Sequence, residues 1–565
     1  MMGKIPPVPG AERTVGPAVA GAVPGAGAGP ARRVTPVALA ITLTTALALF
    51  LRLWQLTKHG YLLGPTEYDD GVYFGGALRL IHGAVPYRDF ITVQPPGVML
   101  LMTPAALFAG PFGTAKALFI GRVLTACAGA AGVTLTGLLI RHRGALAVAL
   151  AGGFLAVYPD GVYAAHTVLI EPWLVLFCLA GALAVLDGDH LTSSGWRLAA
   201  GGVAFGFAGV CKAWAIFPVI VLLILLLRPR QAGWRRVARR TGLFLGGTVA
   251  GFVLPVLPFA ILAPSAFYNS VIVAQWARTD DVRIPTSFRV ASMLGLSHGP
   301  NLPHLLLAAV AAAIAVLAAG CSLLATLISR RWPPLLELFV LATAALVVLA
   351  FVWPPDYYYH YAAFLGPFLA LAVVLPVARL AGLARPPRPA LGTAPETASR
   401  TAPRAPYRLG LTATAVIVLV LAVLQGRTAP DPNLRGIANA VIADEKVFPP
   451  GSCVLTDTVS YPIAANRFFS TERGCPIMVD SIGTDYSLSH GENAANGAGN
   501  APAVQRVWLS ALSRAQYVWL SGLWQRRLPW TYPIQSYFNA HFRLLHFDAS
   551  GRVYERVGGL AHGQP

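Results

Sequence analysis

Acidic residues are scarce in this chain, and three of them stand together. Glu67, Asp69 and Asp70 fall within four residues of the run TEYDDGVYFGGALRLIHGAVPYRDF, although Asp and Glu total only 24 of 565 residues. Carboxylates so grouped can act as a general base, as metal ligands or as anchors for a sugar hydroxyl. The plainer role is capping. Asp69 or Asp70 would open the amphipathic stretch that follows, where a carboxylate also suits the positive end of the helix dipole.

The elements that must position these carboxylates are membrane helices. Hydrophobic residues make up 55% of the chain and charged residues 12%, with a mean hydropathy of +0.60. Apolar runs of roughly 18 or more residues, long enough to cross a bilayer as helices, recur along it. The fold class is therefore an α-helical polytopic membrane protein. Eleven spans are expected, near 34–54, 113–140, 144–158, 170–186, 197–211, 213–228, 241–263, 302–328, 334–353, 361–383 and 409–426. Residues 1–33, rich in Pro, Gly and Ala, read as a disordered cytoplasmic tail and not as a cleavable signal peptide.

With these spans, Arg32/Arg33, Arg141/Arg143, the six arginines from Arg228 to Arg240, Arg330/Arg331 and the five from Arg385 to Arg408 share one side. The positive-inside rule makes that side cytoplasmic. The net charge of +19 is then a matter of topology and lipid headgroups, with no call for nucleic acid. An odd number of spans places the acidic cluster and the C-terminal tail on the outer face of a plasma (inner) membrane. Cys127, Cys178, Cys211 and Cys321 sit in apolar helices as packing residues. Cys453 and Cys475, alone in the polar tail and facing an oxidising compartment, are the candidate pair for a disulfide.

The outer loop after the first span is patterned. Residues 70–82 carry apolar residues at helical spacing and stop at Gly83. A second segment, 96–109, is opened by Pro95-Pro96-Gly97 and is too short to span. Both read as interfacial helices lying on the outer leaflet.

A first outer loop built of an acidic pair, an amphipathic helix, PYRDF…PPG and a second juxtamembrane helix resembles that of the GT-C glycosyltransferases. The resemblance is to the bacterial branch related to protein O-mannosyltransferases and aminoarabinose transferases (glycosyltransferase family 39-like). Further pieces follow in order over residues 34–430. His166-Thr-Val-Leu-Ile-Glu171-Pro172 resembles the family's second acidic motif. Cys211-Lys212-Ala213 resembles its "TK" turn, and Asp356-Tyr-Tyr-Tyr359-His360-Tyr361 its late aromatic and basic turn. The chain departs from the pattern at His166, where relatives often carry Arg, and at Cys211, where Thr is usual.

The resemblance implies a glycosyltransferase that moves a hexose or pentose from a polyprenyl-phosphate donor to an acceptor hydroxyl on a glycan, lipid or protein outside the membrane. The departing phosphate needs electrostatic stabilisation more than a proton. Lys212, His360, His166 and the pair Arg278/Arg283 are cations suited to it, with Glu67, Arg88 and Tyr359 as further substrate contacts. The acceptor hydroxyl must lose its proton, and Asp69 or Asp70 can take it; the sequence does not separate the two. Glu171, beside Pro172 at the membrane boundary, is a third catalytic candidate, and the alternative is that it caps its helix. For Lys212 the alternative is snorkelling to headgroups, and for His360 a place in an interfacial aromatic belt. Arg278-Thr-Asp280-Asp281-Val-Arg283 also reads as a solvated loop. No cofactor is implied, and a divalent metal is left open.

Residues 34–429 thus read as the GT-C-like transmembrane catalytic domain and 430–565 as a small extracytoplasmic α/β domain. The latter shows strand-like CVLTD, helix-like VSYPIAANRFF, strand-like CPIMVD, helical VQRVWLSALSRA, then QYVWLSG and a hairpin at FRLLHF-DASG-RVYER. Residues 487–502 read as a mobile loop. Trp508, Trp519, Trp524 and Trp530 could stack on sugars or fill a core. Two other functions fit a polytopic chain: a transporter or flippase for a lipid-linked glycan, whose ionisable residues would sit near the bilayer midplane, and a non-catalytic relative.

Overall fold

The structure, a computed structural model, describes residues 35–558 apart from 59, 229–232, 279–283, 297–302, 354–356, 384–403, 428–431 and 522–526. The expected N-terminal tail, Asp280, Asp281, Arg283, Asp356 and Trp524 lie outside the described residues. The described residues from Pro36 onward form one compact unit.

Among the described residues, seven helices are long and apolar enough to cross a membrane: Pro36–Leu56, Thr114–Leu139, Trp234–Leu262, His304–Ser329, Leu335–Val352, Tyr359–Leu383 and Tyr407–Arg427. They match seven of the eleven expected spans. The other four are the shorter helices Ala145–Val157, Glu171–Val185, Gly195–Cys211 and Ile216–Leu227. At 12 to 17 residues they reach roughly 18–26 Å, against a hydrocarbon thickness of about 30 Å. Length and composition therefore support seven crossings and not the full eleven.

We number the helices that build the site α1 (Pro36–Leu56), α2 (Tyr68–Ile81), α3 (Gly97–Ala106), α4 (Thr114–Leu139), α5 (Glu171–Val185), α6 (Gly195–Cys211), α7 (Trp234–Leu262) and α8 (Ala362–Leu383). Helices α6 and α7 meet backbone to backbone. Gly202 and Gly206 face Gly247 and Gly251, and a methyl added at Gly206 would stand 2.1 Å from the Thr248 carbonyl. Two small-xxx-small stripes thus allow close backbone contact between these helices. Helix α6 ends at Cys211, and Lys212 takes an extended conformation (φ −158°, ψ 137°) before the chain turns.

Helix α2 begins at Tyr68 and stops where Gly83 takes a positive φ of 85°, as its spacing predicts. It does not lie on lipid. Residues 70–78 are all buried, because α2 is sandwiched between α3, α4 and the C-terminal residues. Phe74, Leu78, Met102 and Leu118 share one apolar cluster with Val459 and Ile463. A methyl at Gly71 would stand 2.3 Å from the Ser460 backbone nitrogen.

After a helix α9 (Pro432–Ala443), the C-terminal residues build a four-stranded sheet. Its strands are β1 (Val454–Thr456), β2 (Tyr517–Ser521), β3 (Phe542–Asp548) and β4 (Gly551–Arg556), in the order β1-β2-β4-β3. Strand β1 runs parallel to β2 and the other pairs are antiparallel. Helices α10 (Ser460–Ala464), α11 (Ser481–Leu488), α12 (Pro502–Arg514) and α13 (Tyr532–His541) surround it.

CPIMVD forms no strand: Ile477 and Val479 pack against Phe90 and Met99, from the segment between α1 and α4, instead of joining the ladder. Part of 487–502 is built as two short 3-10 turns, Ala494–Asn496 and Ala498–Asn500. Trp508 and Trp519 are fully buried core residues, and Trp530 packs against that core. A disulfide joins Cys453 to Cys475.

Candidate active site

The acidic run separates into three different environments. Glu67 occupies the N-cap position of α2 with extended backbone, and its side chain makes no capping bond. Asp69 and Asp70 lie in the first turn, so neither is the N-cap residue that the capping reading requires. Asp70 turns inward and is wholly buried. One of its oxygens, Oδ2, accepts from the Arg122 guanidinium at 2.8 Å, the Thr66 hydroxyl at 2.8 Å and the Thr167 hydroxyl at 2.7 Å. Arg122, buried on α4, also donates to the carbonyls of Tyr61 (2.7 Å) and Gly64 (2.8 Å). Asp70 therefore anchors the loop that follows α1 to the bundle through a buried ion pair.

Asp69, one residue earlier, is partly exposed, with the Tyr73 hydroxyl 3.5 Å from its Oδ2. Its charge acts on Lys212 and His360. Those two groups meet at Glu171. Helix α5 opens at Glu171, with Ile170 in the N-cap position and no side-chain cap, so the capping alternative does not hold. The Glu171 carboxylate is fully buried, with Lys212 Nζ at 2.8 Å and His360 Nδ1 at 3.0 Å. Lys212 reaches it from the C-cap of α6, where its N–H still donates to the Ala208 carbonyl while its φ and ψ are extended. Its ammonium also lies 3.6 Å from the Trp214 ring centre and 4.0 Å from that of Tyr361, an aromatic cradle for a cation. His360 comes from the 3-10 turn Tyr359–Tyr361 that leads into α8. Snorkelling is excluded for Lys212, whose head group points to a buried carboxylate. His360 does sit among aromatic rings, those of Tyr358, Tyr359 and Tyr361, and it is ion-paired as well.

The remaining candidates divide. Glu67 Oε1 accepts from the Tyr359 hydroxyl at 2.5 Å. Burial raises the Glu67 carboxyl to about 7, against the opposing pull of the Tyr359 hydrogen bond and the nearby His360. His166 is buried, with Nδ1 against the Tyr163 carbonyl and its ring against Tyr61 and Tyr163. Tyr163 in turn meets Tyr359 edge to face, which links His166 to the Glu67 side. Arg88 is not brought in. It stands exposed on the Pro86–Phe90 turn, paired with its neighbour Asp89 at 2.8 Å. Arg278 donates to the Tyr358 hydroxyl at 3.3 Å and lies 4.6 Å from the Tyr486 ring centre.

Two contributors are not evident from the sequence motifs. Arg122 carried a signal, since a charge inside an apolar span needs a partner. Asp480 did not. The Tyr68 hydroxyl donates to Asp480 Oδ1 at 2.9 Å and accepts from the Ile482 backbone N–H at 3.0 Å, while the Arg527 guanidinium lies 4.1 Å from the Tyr68 ring centre. Burial raises Asp480 to about 6, and the Asp69 charge adds to that. The C-terminal residues thus hold the turn that presents Asp69. The donors on Asp70 all meet its Oδ2, and Glu171 is flanked by two nitrogens.

No protein-family model matches the sequence, and no curated protein matches it. Solved structures do. The chain is similar to the aminoarabinose transferase ArnT from Cupriavidus metallidurans bound to undecaprenyl phosphate, at 18% identity and a TM-score of 0.55, over 93% of this chain and 99% of that one. The fold is that of the GT-C glycosyltransferases. The archaeal oligosaccharyltransferase AglB from Archaeoglobus fulgidus, in complex with an inhibitory peptide and a dolichol-phosphate, is similar at 11% identity and a TM-score of 0.50, over 92% of this chain and 74% of that one. In this GT-C fold the expected second acidic motif, "TK" turn and late aromatic turn, far apart in the chain, converge as Glu171, Lys212 and His360.

Proposed function

We propose that the chain is a membrane glycosyltransferase that takes a sugar from a polyprenyl-phosphate donor and passes it to an acceptor hydroxyl on the extracytoplasmic face. The observation that carries this reading is the Glu171–Lys212–His360 cluster, with the Asp69 charge acting on both of its nitrogen groups. Ionisable groups buried at a membrane boundary are costly, and such a concentration points to a site. The GT-C fold, found also in proteins solved with undecaprenyl phosphate and with a dolichol-phosphate, supports the choice of donor.

In this reaction the acceptor oxygen bonds to the anomeric carbon as the bond from that carbon to the donor phosphate oxygen breaks. The phosphate leaves with the electron pair, its charge met by Lys212 and His360, which Glu171 positions. Asp69 takes the hydroxyl proton. Asp70 holds the loop through Arg122 and does no chemistry. Glu67, with its raised affinity for a proton and its bond to Tyr359, faces the sugar as a hydrogen-bonding group.

Purified protein incubated with a panel of radiolabelled polyprenyl-phosphate sugars tests the proposal. Transfer of label to an acceptor, with release of polyprenyl phosphate, is expected. Movement of lipid-linked glycan across vesicles, without transfer from any donor, would establish the transporter reading in its place.

A further inference from the structure

We infer that the C-terminal sheet carries a site for a divalent transition-metal ion of the zinc class, formed by Asp444, His546 and Asp548. Asp444 lies in the 3-10 turn that follows α9, and His546 and Asp548 lie on the edge strand β3. Their ligand atoms are all within 4.8 Å of one another. His546 Nε2 stands 3.3 Å from Asp444 Oδ1 and 3.4 Å from Asp548 Oδ2. Ligands held about 2.0–2.1 Å from a tetrahedral zinc ion are themselves about 3.3–3.4 Å apart.

An ion pair explains this arrangement less well. One imidazole nitrogen carries at most one N–H, which cannot satisfy two carboxylates at once, and both distances are long for a charge-assisted hydrogen bond. A cation between the three atoms meets all of them. It also relieves the repulsion between the two carboxylates.

The surroundings orient the ligands. Asp444 is 1% exposed, and its other oxygen accepts from the Ser550 hydroxyl at 2.6 Å. The other oxygen of Asp548 accepts from the Ser550 backbone N–H at 2.7 Å. Ser550 is itself fully buried, and the Trp519 indole donates to its hydroxyl at 3.1 Å. One residue thus fixes both carboxylates so that their free oxygens converge on the histidine, as outer partners do in metal sites. The register shift between Leu544 and His546 is where the edge strand adjusts to present this face. His546 and Asp548 remain partly exposed, which leaves a fourth position open to water.

The test uses the full chain, tag-free, purified in detergent and stripped with a chelator. Zn²⁺ uptake is measured by equilibrium dialysis with elemental analysis, and Co²⁺ binding by its visible absorption. One equivalent is expected in wild type and in Asp69→Asn. In His546→Ala and Asp548→Asn, at partly exposed positions that spare the core, affinity should fall by roughly 10–100-fold or more. Absence of uptake by folded wild-type protein overturns the assignment. So does uptake that survives in both variants, or uptake lost in Asp69→Asn, which would place the ion at the membrane-side carboxylates.

Discussion

Adjacent aspartates with opposite duties give the sharpest test of the site. Replacing Asp70 by Asn removes the charge opposite Arg122 while keeping size and an acceptor oxygen for Thr66 and Thr167. The guanidinium then remains buried among carbonyls without its counter-charge, and breaking a buried pair in this way costs about 3–5 kcal/mol. Asp69→Asn acts on a partly exposed side chain whose Oδ2 lies 3.5 Å from the Tyr73 hydroxyl, and a change there alters stability by roughly 0.5 kcal/mol or less. Its expected effect is kinetic. Loss of a general base slows transfer by about 10²–10⁴-fold, or roughly 2.7–5.4 kcal/mol of barrier at 1.36 kcal/mol per decade. Thermal unfolding in detergent and single-turnover transfer from a polyprenyl-phosphate sugar measure the two effects separately. Asp70→Asn should unfold well below wild type, and adding Arg122→Gln should restore part of the loss, because the stranded charge is then gone. If Asp70→Asn unfolds with wild type while Asp69→Asn transfers at full rate, the division of labour is wrong.

Lys212→Met should weaken donor binding roughly ten- to hundredfold, as a charge-assisted contact worth about 1.5–3 kcal/mol is lost, and Lys212→Arg should keep part of it; titration with a labelled donor measures both. Asp485, whose Oδ1 accepts from the Trp508 indole at 2.9 Å, is raised by burial from 3.8 to about 8. The folded chain therefore holds a proton that the unfolded chain releases, and stability falls as pH rises from about 4 to about 8. Asp485→Asn keeps an acceptor for Trp508, so its thermal midpoint should climb above wild type as pH passes through that window and show little gain at the acid end. A reporter fused after residue 427 should read extracytoplasmic and one fused at 233 cytoplasmic; the opposite result at either point would remove the outer-face site.

Much of the fold was legible because the physics was local. Long apolar runs gave the seven long helices, Gly83 gave the end of α2, and Asp548-Ala-Ser-Gly551 gave the hairpin. The four short helices were less legible, since at 12 to 17 residues their length does not decide whether they cross. Gly202, Gly206, Gly247 and Gly251 let α6 bury itself in protein. The CPIMVD segment failed as a strand because its apolar residues had a better partner in the segment between α1 and α4 than in the sheet. Glu171, Lys212 and His360 could be picked out one by one, but not as a cluster, because their convergence depends on three chain breaks far apart in sequence. Asp480 gave no signal beyond that of a helix cap, which it also is, accepting from the Gly483 N–H at 2.7 Å.

The seam at α2 bears on how this protein can be cut and recombined. A fragment ending at residue 429 would keep every membrane helix yet lose the Ser460 backbone that rests on Gly71 and the Asp480 carboxylate that receives the Tyr68 hydroxyl. An apolar face of α2 would be bared to water one residue from Asp69. The C-terminal sheet and its helices are therefore poor material for modular exchange: a chimera that borrows them from a relative must carry over α2, or match the glycine and the tyrosine on which they sit.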